Sequence, residues 1–269
     1  MNTKKNKYQI LVLSDLSPDS NISLLNAVEL ARTINASVEV LHVKAPLDVV
    51  KGDNQLSAIR TIHKDNRSTE SRLRSQIEDV VAKANIAVAH KIAYGNVKST
   101  IKNYLSEKQP DIVVLGKPQT VLGKLLDKGV TNFVLNECNV NVLISGDEIK
   151  QGGFKDLSLG FYGRSISDMN QSELLDDLNK QTTKPLRMFS VNDGQNASEE
   201  NSTEGERRNI VSYVFSEGKN ALEGIVSYVK KTNTELFCIS SESAKGIGLM
   251  PNTTKQMVRR LNIPILVMR

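Results

Sequence analysis

The chain has no tryptophan, and Phe, Trp and Tyr together make up only 4% of its 269 residues. Its cores must therefore rest on Leu, Ile, Val and Ala, within an apolar content of 39%. Cysteine is equally scarce. Cys138 and Cys238 are the only two, which gives neither metal-ligand spacing nor a disulfide framework. Each lies in or beside an apolar segment and is expected to be a buried free thiol. No apolar run reaches the length of a bilayer span. The N-terminal "MNTKKNKYQILVLSD" turns polar at Ser14-Asp15, too soon for a signal-peptide core. The expected location is the cytoplasm, with no membrane contact. The 35 basic and 30 acidic residues are interspersed. No block of Lys/Arg with interleaved aromatics is present, so a nucleic-acid footprint of that kind is excluded. His42, His63 and His90 share no spacing, and no paired carboxylates, nucleophile elbow or metal motif occurs. The expectation is a protein that is not an enzyme, without a metal site.

What is present is an alternation of two periods. "QILVL" (9–13), "SVEVLHV" (37–43), "AVAHKIA" (87–93), "DIVVL" (111–115) and "VNVLI" (140–144) read as strands. Between them, Leu24, Val28, Ala31 and Ile34 recur at helical spacing, as do Leu73, Ile77, Val80, Val81 and Ala84. Val97, Ile101, Tyr104 and Leu105 do the same, and Val130, Phe133 and Val134 mark a fourth helix. Ser17 and Pro18 suit the start of the first helix. Strands alternating with helices, and strands that are nearly continuous apolar runs, predict α/β architecture with a parallel sheet.

A polar, Gly-rich linker, "SGDEIKQGGFK" (145–155), separates this from a fainter second copy. "DIVVLG" is matched by "ELFCIS" (235–240), and "NVNVLI" by "NIPILV" (262–267). "QILVLSD" is matched by "DLSLGFY" (156–162), which sets Tyr162 against Asp15. The second copy is shorter where the first has its second helix. It has the polar "NDGQNASEENSTEGER" (192–207) there, expected to be a mobile loop. The expected domains are 1–147 and 148–269.

The most informative stretch is "GKPQTVLGKLLDKGV" (116–130), which follows "DIVVL" and carries three glycines and three lysines. A Walker A loop does not fit it, because six residues separate Gly116 from Gly123-Lys124 and Leu125 follows. A dinucleotide fingerprint fails too, since "SDLSPDS" after the first strand has no glycine. Together with "ILVLSDLSPDS", "LHV" and "YGNVKSTIKNYLSEKQPDIVVLG", the stretch resembles the universal stress protein family, as a tandem of two domains. The resemblance implies two flavodoxin-like (adenine nucleotide alpha hydrolase-like) sandwiches, the second shortened and degenerate.

Many members of that family bind ATP through Gly-x-x-Gly-(nine residues)-Gly-Ser/Thr after the fourth strand. Gly116 occupies the first position and Gly129 the third. Gln119 stands where the second glycine would be, and Val130 where the hydroxyl residue would be, with Thr131 one step late. Glycine there lets a phosphate approach bare backbone amides at a helix start; Gln119 puts a side chain into that approach. Lys117, Lys124 and Lys128 offer compensating charge. The resemblance also implies that Asp15, after Leu13 at the end of the first strand, meets the adenosine end of the ligand. Backbone groups of Val43 would reach the base. A capping role for Asp15 and core packing for Val43 are the plain alternatives.

Two functional readings follow. In the first, the chain is a stress-response sensor or regulator that binds ATP, with Mg²⁺, in its first half only. In the second, Gln119 and Val130 close the site and the chain is an interaction or scaffold module. The partners expected are the other half of the chain, through Val140–Ile144 and Ile263–Val267, a second copy of the chain, and an unidentified client protein. Pairing those strands would hide two sheet edges, with Pro264 placed where no donor is needed.

Overall fold

The structure is a computed structural model and describes residues 6–45, 55–84, 86–117, 129–147, 153–163, 172–192, 209–218, 220–240 and 253–269. The chain divides into two compact units, Met1–Cys138 and Asn139–Arg269. Unit 1 contains β1 (Tyr8–Leu13), α1 (Pro18–Ile34), β2 (Ala36–Lys44), α2 (Gln55–Ala84), β3 (Val88–Tyr94), α3 (Val97–Lys108), β4 (Ile112–Leu115) and α4 (Val130–Glu137). Its strands lie in the order β3-β2-β1-β4, and each described pair is parallel. Parallel strands covered by helices bury both faces, and Ile112, Val113 and Val114 of β4 are accordingly 0% exposed. Each such side chain contributes about 1.5–3 kcal/mol.

Local chemistry fixes the helix ends. Pro18 opens α1, where its missing N–H costs nothing. Asn35 closes α1 in the left-handed region (φ 57°), with its amide donating to the Ala31 carbonyl. Asn96 caps α3 by accepting from the Ser99 amide at 3.2 Å. α2 is much longer than the apolar stripe starting at Leu73 predicts. Leu73, Ile77, Val80 and Ala84 form its buried stripe, but the helix starts at Gln55. The polar stretch before Leu73 is helical as well.

Unit 2 contains β5 (Asn141–Ile144), β6 (Leu159–Tyr162), α5 (Glu173–Lys180), β7 (Leu186–Asn192), β8 (Ile210–Ser216), α6 (Ala221–Lys231), β9 (Leu236–Ser240), α7 (Thr253–Arg260) and β10 (Ile265–Met268). Its strand order is β5-β10-β9-β6-β7-β8. β5 is antiparallel to β10, with Val142 opposite Val267 and Ile144 opposite Ile265; the other pairs are parallel. This pairing groups β5 with the second compact unit, so the units divide ahead of the polar linker at 145–155. Pro264 directly precedes β10, so its missing donor falls outside the ladder, while its carbonyl accepts from the Phe237 amide at 3.1 Å. The stretch 193–208, expected as a loop, lies outside the described residues.

The second core is aromatic. Phe189 stacks on Tyr213 (centroids 5.2 Å apart) and meets Phe237 edge-on at 5.5 Å. Tyr228 of α6 sits 5.5 Å from both Tyr213 and Phe215. Two glycines make room for these rings. A Cβ on Gly160 would stand 2.8 Å from Phe237, and one on Gly224 2.9 Å from Phe215. Both cysteines are free thiols; Cys238 is buried and Cys138 half-buried. No helix among the described residues is long and apolar enough to cross a membrane.

Candidate functional site

The carboxyl ends of β1, β2 and β4 are adjacent in unit 1, the edge at which open α/β sheets place ligands. Leu13 is the last residue of β1 and stands opposite Leu41. Beyond it the Ser14 amide donates to the Leu41 carbonyl at 3.0 Å. β2 then runs on past the end of β1, paired only with β3 among the described residues, through His42, Val43 and Lys44. Successive residues of a strand direct their backbone groups to opposite sides. The Leu41 carbonyl points toward β1, and the Lys44 carbonyl points the other way, accepting from the Gly95 amide at 3.0 Å. The amide and carbonyl of Val43 therefore face the space that β1 vacates. Its side chain does something else. With Leu13, Ala93 and Leu105 it packs against the core formed by Leu11, Leu41 and Tyr104. Only the backbone of Val43 is available to a ligand.

Asp15 is exposed, and its Oδ1 accepts from the Ser17 amide at 2.9 Å and the Ser20 hydroxyl at 2.5 Å. Among the described residues Oδ2 has no partner. Burial pushes this carboxyl up, but the hydrogen bonds from Ser17 and Ser20 outweigh it and hold it below the ordinary aspartate value. One oxygen caps the turn into α1 and the other remains for a donor such as a hydroxyl.

The turn carrying Asp15 is clamped from two directions. Leu16 adopts a left-handed φ of 62°, which costs a side-chain-bearing residue about 1–2 kcal/mol. Its carbonyl accepts from the Arg72 guanidinium at 3.1 Å, and the Ser17 carbonyl from the Gln76 amide at 3.4 Å. His42 bonds the Ser14 carbonyl through Nδ1 at 2.8 Å. Lys44 pairs with Asp65 and donates to Thr69 at 3.0 Å. Sequence reasoning missed these clamps. A signal was present: Asp65, Thr69, Arg72 and Gln76 recur at helical spacing, one residue out of phase with the stripe that starts at Leu73.

Gly116 follows β4 and is half-buried. Its φ is not left-handed. What calls for glycine is proximity, because a Cβ there would stand 3.3 Å from the buried Ser23 hydroxyl of α1. Lys117 beside it is half-buried. Gln119, Lys124 and Lys128 lie outside the described residues. Gly129 is the N-cap of α4 with extended backbone (φ −79°, ψ 177°) and no side-chain cap. Val130 and Thr131 open that helix and are half-buried. α4 thus presents an N-terminus without a capping side chain, as an anion-accepting helix does.

Unit 2 corrects the sequence alignment. In unit 1 the Asp111 amide donates to the Gln9 carbonyl at 3.0 Å, and the Gln9 amide to the Asp111 carboxylate at 2.7 Å. In unit 2 the Glu235 amide donates to the Ser158 carbonyl at 2.8 Å, and the Ser158 amide to the Glu235 carboxylate at 2.6 Å. Ser158 is therefore the counterpart of Gln9, and Tyr162 the counterpart of Leu13, not of Asp15. The Gly163 amide donates to the Phe189 carbonyl as the Ser14 amide does to Leu41. The register assigns Arg164, outside the described residues, to the aspartate's place. The match of "DIVVLG" with "ELFCIS" gives Gly116 the counterpart Ser240. Tyr162 is fully buried, opposite Phe189 and Ile239.

The model of the universal stress protein family matches residues 8–145, just over half of the chain. No curated protein matches the sequence. The fold is similar to that of a universal stress protein from Archaeoglobus fulgidus DSM 4304, with a TM-score of 0.69 at 16% identity over 97% of this chain and 96% of that one. It is also similar to a protein of unknown function from Pseudomonas aeruginosa PAO1, with a TM-score of 0.57 at 12% identity over 97% and 92%.

Proposed function

Because the chain belongs to the universal stress protein family, we propose that it binds an adenine nucleotide, ATP, in unit 1 only, and acts as a stress-response regulator by binding rather than by catalysis. The observation that carries this is the gap beyond the end of β1. It brings the donor–acceptor pair of the Val43 backbone to the same edge as the open oxygen of Asp15. A donor beside an acceptor suits the edge of a purine ring, and a lone carboxylate oxygen suits a ribose hydroxyl. The α4 N-terminus suits a phosphate, with Mg²⁺ entering as the companion of the triphosphate. Unit 2 has Arg164 where the aspartate would be and Ser240 where Gly116 would be, a reversed charge and an added side chain. The second reading, an interaction module without nucleotide, draws support from the clamped turn, in which Asp15 already serves as a cap.

Calorimetric titration of the purified chain with ATP and Mg²⁺, after a check of the heat-denatured extract for adenine absorbance, tests the proposal. Binding is expected. Asp15→Asn keeps the cap, since asparagine also accepts from Ser17 and Ser20, but removes the charge. It is expected to weaken binding at least tenfold, while Tyr162→Phe leaves it unchanged. No heat and no extracted nucleotide would establish the second reading instead.

A further inference from the structure

β8 is the last strand in the order of unit 2, and among the described residues no strand pairs with its outer edge. Its seven residues, "IVSYVFS", contain no charge, proline or glycine, the devices that usually keep such an edge from pairing with another chain. The contrast with β3, last in the order of unit 1, is direct: β3 exposes His90 and Lys91. β3 also exposes one aromatic, Tyr94, at 54%, whereas at β8 the exposed surface is apolar along the strand, with Val214 63% exposed, Val211 38% and the adjacent Tyr228 38%.

The backbone shows what this edge offers. The Asn209 carbonyl accepts from the Leu186 amide of β7 at 2.9 Å, so residue 209 points inward. Alternation then turns 211, 213 and 215 toward β7, and directs the amides and carbonyls of Ile210, Ser212 and Val214 outward. The stretch that precedes the strand in sequence is almost wholly polar. Residues 193–208 include one apolar side chain, Ala197.

We propose that β8 is a dimerisation edge that pairs antiparallel with β8 of a second copy of this chain, about a twofold axis at Ser212. The sequence around the strand selects a copy of itself. With Ser212 facing Ser212, Ile210 faces Val214 and Val211 faces Tyr213, so every apolar residue from 210 to 214 meets an apolar residue. β-branched and aromatic cross-strand pairs of this kind stabilise antiparallel ladders. The outward groups of 210, 212 and 214 then meet one another in hydrogen-bonded pairs. The ends agree as well. In sequence, Glu206, Arg207 and Arg208 precede the strand and Glu217 and Lys219 follow it, and an antiparallel register about Ser212 matches position 207 with position 217, a pair of opposite charge.

Light scattering after size exclusion, over a concentration series of the full chain, reads the mass. The expected result is a rise from 29.7 kDa to twice that value. Ser212→Pro removes an outward donor without touching the β7 ladder and is expected to hold the chain at the lower mass, with an unchanged circular dichroism spectrum. In a Cys138→Ser background, Ser212→Cys is expected to form an intermolecular disulfide on mild oxidation. Directly opposed residues of a hydrogen-bonded pair lie about 5.5 Å apart between Cα atoms, within disulfide reach. Ala89→Cys on β3 is expected to form none. A single mass of 29.7 kDa at every concentration overturns the proposal. So does a dimer that survives Ser212→Pro and fails to cross-link through position 212.

Discussion

Units 1 and 2 share a four-strand order, β3-β2-β1-β4 and β8-β7-β6-β9, and the same carboxylate clasp, between β1 and β4 and between β6 and β9, yet their interiors differ in kind. Eight of the twelve Phe and Tyr residues lie in unit 2, and five of those eight form one connected ring cluster. Unit 1 rests on aliphatic side chains and a 30-residue helix, α2, which has no described counterpart between β7 and β8. An aromatic side chain buries about 150–250 Å², so a few rings can stand in for much of what a helix covers. The two solutions leave different surfaces. In unit 1, α2 clamps the turn that carries Asp15. In unit 2 the residue that the sequence register sets against that aspartate is an arginine, and among the described residues no strand pairs with the outer edge of β8.

Three tests press on this contrast. The largest effect is expected from Phe189→Ala, which removes the ring that touches Tyr213, Phe215 and Phe237. The expected loss is about 3–5 kcal/mol. Cys238 reports it, because its thiol is buried and pushed up to about 12 by that burial, so alkylation requires unit 2 to open. In a Cys138→Ser background its labelling should accelerate roughly a hundredfold or more, at about tenfold per 1.4 kcal/mol. Unchanged labelling would mean that the rings do not hold unit 2 together.

Next in size is a pair of glycine substitutions. Gly160→Ala drives a methyl to 2.8 Å from Phe237 and 2.9 Å from Thr234, and should cost about 1–3 kcal/mol. Gly116→Ala meets, among the described residues, only the Ser23 hydroxyl, at 3.3 Å, and should cost less than about 1 kcal/mol. Urea midpoints rank the two, and the reverse order would contradict the packing described.

The smallest effect is electrostatic. The Asp15 pKa is lowered on folding. Its contribution to stability is therefore fully present above the unfolded value of about 3.9 and fades as pH falls through the lower folded value. Wild type should lose slightly more stability than Asp15→Asn on acidification below roughly pH 4, read from paired urea midpoints. Identical acid profiles would show that the capping bonds do not stabilise the charged form.

Much of the fold was legible because each element carries its own period. The core strands of both units, β1 to β6 and β9 and β10, lie within a few residues of the runs that announce them. The helices α1, α3 and α4 coincide with their apolar stripes, as does the C-terminal part of α2. The start of α2 was missed, although Leu56, Ile59 and Ile62 recur at helical spacing ahead of the polar stretch that separates them from Leu73. Of the candidate site, the sequence pointed to Asp15, Val43, Gly116 and Gly129 at strand and helix ends. It did not separate the side chain of Val43, packed against the core, from the backbone groups that face the space beyond β1. It also set Tyr162 against Asp15, two residues out of register. Strand side chains alternate with a period of two, so a slip of two leaves the apolar pattern intact, and only the hydrogen bonds of Gln9 and Ser158 expose it.

By itself the sequence determined the α/β class, the family, and the strand ends at which a ligand would sit, because burial periodicity and turn chemistry act over a few residues. Only the tertiary structure decided which backbone groups remain unspent, which helix clamps the Asp15 turn, and which sheet edge stays open. Those depend on what a distant segment brings alongside, and no local pattern of residues records a neighbour a hundred positions away.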